Sequence, residues 1–168
     1  MSKKRLLVDA VSIIDCHKLK CWTSVHNHFS VETVEECFKE CGQGGYAPGH
    51  VPIDIKVLLA QLAAAPHAVD DKMRAELLRR TPNVRMDAGE RDLMAYAITQ
   101  DPYDFILCGP DAALVRAAVY TSLESTVVSL EEVARLSGRA LKGLDYKNTD
   151  AWLSTTRTKI LLEREERR

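Results

Sequence analysis

The sequence predicts an α/β layered fold built on a parallel sheet. Leu6-Leu7-Val8 is a continuous apolar run closed by Asp9, and Phe105-Ile106-Leu107-Cys108 is a second such run with Asp111 just beyond it. Apolar runs bounded by polar turns read as parallel strands buried on both faces. Helix-like stretches alternate with short strand-like ones along the rest of the chain. With 168 residues, 46% of them hydrophobic, the chain can bury one good core, and its length requires no second domain.

The first strand is read from Arg5 to Asp9, followed by a helix from about Ser12 to Val25 with Ile13, Ile14, Leu19 and Trp22 on its apolar face. His28 to Val31 reads as a second strand. Thr33 fits the cap of a helix over residues 34–41, because its hydroxyl can bond the Glu36 amide while Glu36 reaches back. Gly42-Gln43-Gly44-Gly45, with Pro48 and Gly49, follows a helix rather than a strand, so it reads as a helix stop and loop and not as a phosphate loop.

Helices are expected from about Ile53 to Ala64 and from Asp70 to Arg80. Ile55, Leu58, Leu59 and Leu62 form a stripe in the first of these, and Ala63-Ala64-Ala65 allow close packing before Pro66 ends the run. Gly89-Glu90-Arg91 opens a helix whose Ala95 and Ala97 let its backbone approach the sheet, which turns Glu90 toward the sheet edge. A strand over 104–108, a helix over 111–120, a strand over 126–129 and a short helix over 131–136 complete the unit. From Gly138 the pattern becomes polar and then helical again from about Asp150 to Glu166, carrying Trp152, Ile160, Leu161 and Leu162. The expected organisation is one domain over residues 1–137 and a C-terminal helical extension over 138–168, with Glu163 to Arg168 a solvated terminus.

A formal charge of −1 argues against gripping polyanions by bulk electrostatics, so nucleic-acid contact requires local basic patches. Lys3, Lys4, Arg5, Arg91 and Arg116 are the candidates for steering a phosphate backbone, each set against the simpler reading of a solvated cation. Aromatic residues are sparse, and no single-strand stacking platform is evident. No apolar segment approaches the ~20 residues that span a bilayer, so a soluble, cytoplasmic protein without a membrane partner is expected. Cys16, Cys21, Cys37, Cys41 and Cys108 are odd in number and lie in core elements, which suits a reducing compartment. With His17, His26 and His28 they admit a zinc reading, but the Cys-x2-Cys knuckle is missing and buried free thiols are favoured.

Metal-dependent nucleases need carboxylates from different elements to converge, because hard oxygen ligands bind Mg²⁺ or Mn²⁺ while leaving room for water and phosphate. Four positions qualify: Asp9 after the first strand, Glu36 in the first turn of its helix, Glu90 at the Gly-Glu helix start, and Asp111 after the later strand. Each has a plainer reading, as turn former, first-turn acid or N-cap. Glu35 competes with Glu36, and Asp92 is a reserve. A phosphatase of the haloacid dehalogenase type is disfavoured, since Val11 stands where that chemistry wants a second aspartate.

Leu7-Val8-Asp9-Ala10, Thr33-Val34-Glu35-Glu36-Cys37, Ala88-Gly89-Glu90-Arg91-Asp92 with Ala95 and Ala97, and Leu107-Cys108-Gly109-Pro110-Asp111 followed by Val127-Val128-Ser129 stand in the order of one family. In this ordered set the chain resembles the PIN domain family of metal-dependent nucleases. The resemblance implies a three-layer α/β/α sandwich around a parallel sheet and an acidic site of Asp9, Glu36, Glu90 and Asp111 holding Mg²⁺ or Mn²⁺. It also implies phosphodiester hydrolysis, with RNA favoured over DNA, in the setting of a toxin or defence effector. An inhibitor or other partner protein, and self-association, belong to that expectation. Pro110 departs from the family, which often has Ser, Thr or Asn there, and residues 42–86 match only loosely. The competing reading is a catalytically inactive scaffold that binds proteins through its C-terminal helix.

Overall fold

The computed structural model describes residues 2–43 and 51–168; the stretch from Gly44 to Gly49, read above as loop, lies outside the described residues. The fold is mixed α/β, a small parallel sheet flanked by helices. β1 (Arg5–Val8) is central, with β2 (Ser30–Glu32) on one side and β3 (Phe105–Cys108) on the other, all parallel. In register, Leu7 faces Glu32 on one side and Leu107 on the other, and Val8 faces Cys108. Successive strand side chains point to opposite faces, yet Leu6 and Leu7 are both 0% exposed. The sheet is therefore covered on both faces, which is why its strands read as unbroken apolar runs rather than alternating ones.

Single bridges widen the sheet at each edge. Val34 bridges His67, and Leu107 bridges Val127. The residues around Val127 thus continue the sheet by one bridge only; the expected strand over 126–129 is instead a 3-10 turn, Glu124–Thr126, followed by an extended step into the next helix.

The caps explain most helix boundaries. Asp54 starts α4 (Ile55–Gln61), Asp70 starts α5 (Asp71–Arg80), Asp87 starts α6 (Ala88–Ala97), Asp111 starts α7 (Ala112–Tyr120) and Ser129 starts α8 (Leu130–Leu136). Each cap side chain accepts a bond from a first-turn amide, satisfying a donor that the helix leaves unpaired. The single helix expected over 12–25 is two, α1 (Ala10–Lys18) and α2 (Trp22–His28), because Lys20 adopts φ 56° and turns the chain between them. The expected Thr33 cap also differs. The Thr33 hydroxyl donates to the Val8 carbonyl at 2.7 Å, so it ties β1 to the next segment, and α3 (Glu35–Gly42) starts from Val34 without a side-chain cap. Ala63 to Ala65 are exposed and lie beyond α4, where the Ala63 amide bonds the Val31 carbonyl at 2.8 Å.

The C-terminal extension ends in α9 (Asp150–Glu166), which packs on α7. Leu153 and Ile160 join the same hydrophobic cluster as the sheet, and Arg116 pairs with Glu163 at 2.7 Å. Truncating Ile160 to alanine is expected to cost about 2–5 kcal/mol, read as a lower urea midpoint, because it opens a cavity in this shared core. An unchanged midpoint would mean that α9 is dispensable to it. Among the described residues no helix is long and apolar enough to cross a membrane.

Candidate active site

The chain leaves β1, forms β2 on one side and later returns to form β3 on the other. The carboxyl ends of β1 and β3 therefore flank a topological switch point, the crevice where open parallel sheets bind ligands. Asp9 follows β1 directly, and its amide bonds the Cys108 carbonyl at 3.3 Å across this gap. Gly109 follows β3; a Cβ there would stand 3.2 Å from Asp9 Oδ2 and 2.6 Å from Leu114 Cδ1. Glycine is what lets this loop lie against the carboxylate.

Asp9 is 4% exposed, and its Oδ1 accepts the Ser12 amide at 2.8 Å. Burial pushes its carboxyl up to about 7 against the Ser12 hydrogen bonds, with Asp87 and Asp15 pushing it further. Glu90, 9% exposed, forms a capping box with Asp87, giving 2.8 Å from its amide to Asp87 Oδ1 and 3.3 Å from the Asp87 amide to its own Oε2. Burial, then Asp111 and Asp87, push it up to about 8, with Asp9 adding to the effect. Asp111 caps α7 through the Ala113 amide at 2.7 Å. The charges acting most strongly on Asp9 and Glu90 are all other acids. Glu90 is the link among the three, since both Asp111 and Asp9 act on it.

Glu36 is placed differently. It is half-buried on α3 and acts on Glu40, one turn along the same face. Glu40 lies over the first turn of α6, where a Cβ on Gly89 would meet its Oε1 at 2.8 Å. Its carboxyl is raised by burial and then by Asp87 and Glu36, while the Gly89 backbone favours the charged form. Cys37, between them, points inward and donates its thiol to the Gly89 carbonyl at 3.4 Å. Glu40 and Asp87 are the acids that the sequence reading missed. The signals were there, since Glu40 is four residues past Glu36 and Asp87-x-x-Glu90 has capping-box spacing.

Asp92 is not part of this group. Burial would push it up, but Arg74, bound through two 2.9 Å bonds, and Arg91 hold it below the usual carboxylate range. Two of the expected steering cations are also committed elsewhere. Arg5 is held by Glu32 at 2.5 Å at the start of β1, away from Asp9 at its far end, and Arg116 is held by Glu163. The five cysteines are free and buried; burial and the nearby acids Asp9 and Glu40 push Cys41 up to about 12, so it is a neutral core thiol.

The donor set consists of hard oxygens without a protein counter-ion among their strongest neighbours, which suits Mg²⁺ or Mn²⁺ in chemistry. In geometry, no three His, Cys, Asp or Glu side chains among the described residues are drawn together tightly enough to hold an ion as they stand. Asp9, Glu90 and Asp111 are each parked on a capping bond, and the 3.3 Å contact of Glu90 is the longest of these. No known family profile and no curated protein matches the chain.

Proposed function

We propose that this chain is a PIN-like, metal-dependent nuclease acting on RNA in preference to DNA, with a three-layer α/β/α architecture. The observation that carries the reading is a pair of buried acids, Asp9 at the β1–β3 switch point and Glu90, which Asp9 acts on; both are raised first by burial and then by other acids, Asp87 and Asp15 on Asp9 and Asp111, Asp87 and Asp9 on Glu90. Maintaining such a cluster is costly for stability unless a cation joins it. The ordered PIN-like fragments supply the reaction class.

In this reading Asp9, Glu90 and Asp111 hold Mg²⁺ or Mn²⁺, and Glu40 stands at the rim with Glu36 behind it. An ion held by these carboxylates would supply a more acidic coordinated water and charge neutralisation at the phosphodiester. To reach such an ion Glu90 would have to give up the 3.3 Å bond from the Asp87 amide, while Asp87 would still cap α6 through the Glu90 amide. Gly109 lets the β3 loop lie against the Asp9 carboxylate, where a Cβ would stand 3.2 Å from Oδ2. A role as toxin or defence effector, with an inhibitor protein, follows from the resemblance and belongs to the same proposal.

The test is incubation with labelled RNA and single-stranded DNA in Mn²⁺ or EDTA, comparing wild type with Asp9→Asn. Product that needs Mn²⁺ and vanishes in the variant supports the reading, whereas no product on either substrate overturns it. The α3 acids separate in the same assay. Glu40→Gln is expected to lower cleavage by about 10- to 100-fold, as for groups that orient ligands, and Glu36→Gln by much less. The reverse order would return the α3 role to Glu36.

A further inference from the structure

Two cysteines at the corner between α1 and α2 are placed for chemistry that the acidic crevice does not use. α1 ends in a Schellman motif. Lys20, at φ 56°, turns the chain; its amide bonds the His17 carbonyl at 3.1 Å, and the Cys21 amide bonds the Cys16 carbonyl at 2.9 Å. The motif brings the side chains at its two ends together, commonly as an apolar contact. Here both ends are cysteine, and both are free thiols. A backbone hydrogen bond between the two residues themselves holds their Cα atoms within about 7 Å, the reach that a disulfide requires.

The two thiols also polarise each other in opposite senses. Their mutual hydrogen bond raises Cys16, with burial adding to the shift, and lowers Cys21. Arg139 works in the same direction on Cys21, against its burial. This arginine is exposed, and its guanidinium donates to the Lys20 carbonyl at 3.4 Å, one residue before Cys21. The remaining thiols differ. Burial, with Asp9 nearby, pushes Cys37, Cys41 and Cys108 up, the last two to about 12, so they stay protonated and inert. Cys21 is thus the one cysteine whose surroundings favour the thiolate, and a second thiol is already in contact with it.

We propose that Cys16 and Cys21 are a reversible dithiol–disulfide pair oxidised by a hydroperoxide, with Cys21 the attacking sulfur and Cys16 the resolving one. The Cys21 thiolate attacks one peroxide oxygen, the O–O bond breaks, and the departing hydroxide takes up a proton as water, leaving a sulfenic acid. Cys16 then attacks the Cys21 sulfur; the S–S bond forms, and the displaced hydroxide leaves with the Cys16 proton as a second water. Two thiols lose two electrons and two protons, and the peroxide is reduced to two waters. Cys21 is 0% exposed and Cys16 3%, so a small oxidant is selected over a bulky disulfide such as oxidised glutathione. The backbone bond already holds the corner closed, so oxidation joins the end of α1 to the start of α2 along the existing chain path. This inference stands independently of the nuclease reading.

The test is treatment of the folded full chain with hydrogen peroxide, followed by alkylation and peptide mass mapping without reductant. Trypsin cuts after Lys18 and Lys20, so the two cysteines leave on separate peptides unless a bond joins them. A linked peptide two hydrogens lighter than its parts, released by dithiothreitol, is expected, with Cys37, Cys41 and Cys108 recovered as alkylated thiols. Cys16→Ser should stop the reaction at a Cys21 sulfenic acid that dimedone traps, and Cys21→Ser should leave Cys16 reduced. Arg139→Gln, at an exposed position, should slow linkage several-fold with the melting temperature unchanged. In wild type, oxidation should raise the melting temperature, because the cross-link restricts the unfolded chain. Absence of the linked peptide from folded protein, its appearance only in urea, or linkage spread equally over the other cysteines would overturn the pair. Equal modification by oxidised glutathione would overturn the choice of oxidant.

Discussion

The metal-free protein is expected to lose stability as pH rises from about 4 to about 8, by a few kcal/mol. Asp9 and Glu90 have ordinary values of 3.8 and 4.5, and the fold raises them to about 7 and about 8. Across that window the folded state therefore holds more protons than the unfolded chain, and stability falls with pH. The contribution of these neutral, buried carboxyls is complete below the unfolded values and is lost as pH rises through the folded ones. Glu32 and Asp92 act with the opposite sign. Burial raises both, but Arg5 with His67 and Arg74 with Arg91 outweigh it and hold them low, so their contribution is lost only in more acidic solution. The two effects place the apoprotein optimum in mildly acidic solution. Adding Mn²⁺ near the alkaline end should recover the loss, because the ion binds the charged carboxylates of the folded state alone. Urea unfolding in EDTA across this range, repeated with Mn²⁺, reads both effects. A flat profile, or a profile indifferent to Mn²⁺, contradicts the placement of these acids as buried cation ligands.

How much of this could be read from the sequence depended on what each residue's partner is. Helices whose first residues supply their own cap were legible, as with Asp70 and α5 or the Gly-Glu segment and α6, because the partners lie within one turn of chain. β1 and β3 were legible because a strand covered on both faces has no solvent side to interrupt its apolar run. Thr33 was misassigned for the complementary reason. Its hydroxyl has a local partner in the Thr-x-x-Glu pattern and a distant one in Val8, and the distant one wins once β2 pairs with β1. The split at Lys20 left no signal, since a lysine at positive φ carries none of the glycine or asparagine that marks such turns. Among the acids, Asp9 and Asp111 were singled out because strand ends point to a crevice, and they do stand just past β1 and β3. Glu40 was passed over because its relevance arises only where α3 crosses Gly89 of α6, a contact between segments far apart in sequence.

Asp9→Asn is expected to reduce Mn²⁺-dependent cleavage by about 10³-fold or more, the several kcal/mol of transition-state stabilisation that a metal supplies at a phosphodiester. The variant separates charge from structure. Asparagine caps helices about as well as aspartate, and its side-chain oxygen can keep the 2.8 Å bond from the Ser12 amide, so α1 should start unchanged. The near-isosteric side chain also keeps its place beside Gly109, where the aspartate Oδ2 lies 3.2 Å from the position a Cβ would take. The substitution removes one negative charge from a buried group of acids, which lifts the desolvation penalty that raises Asp9 to about 7. At mildly alkaline pH the metal-free variant should therefore be more stable than wild type while being far less active. Opposite signs in one substitution rule out unfolding as the cause of the lost cleavage, and they are expected of a carboxylate retained for a ligand at the expense of the fold. Cleavage within about 10-fold of wild type, a barrier change of only ~1.4 kcal/mol, would leave Asp9 as a helix cap and nothing more.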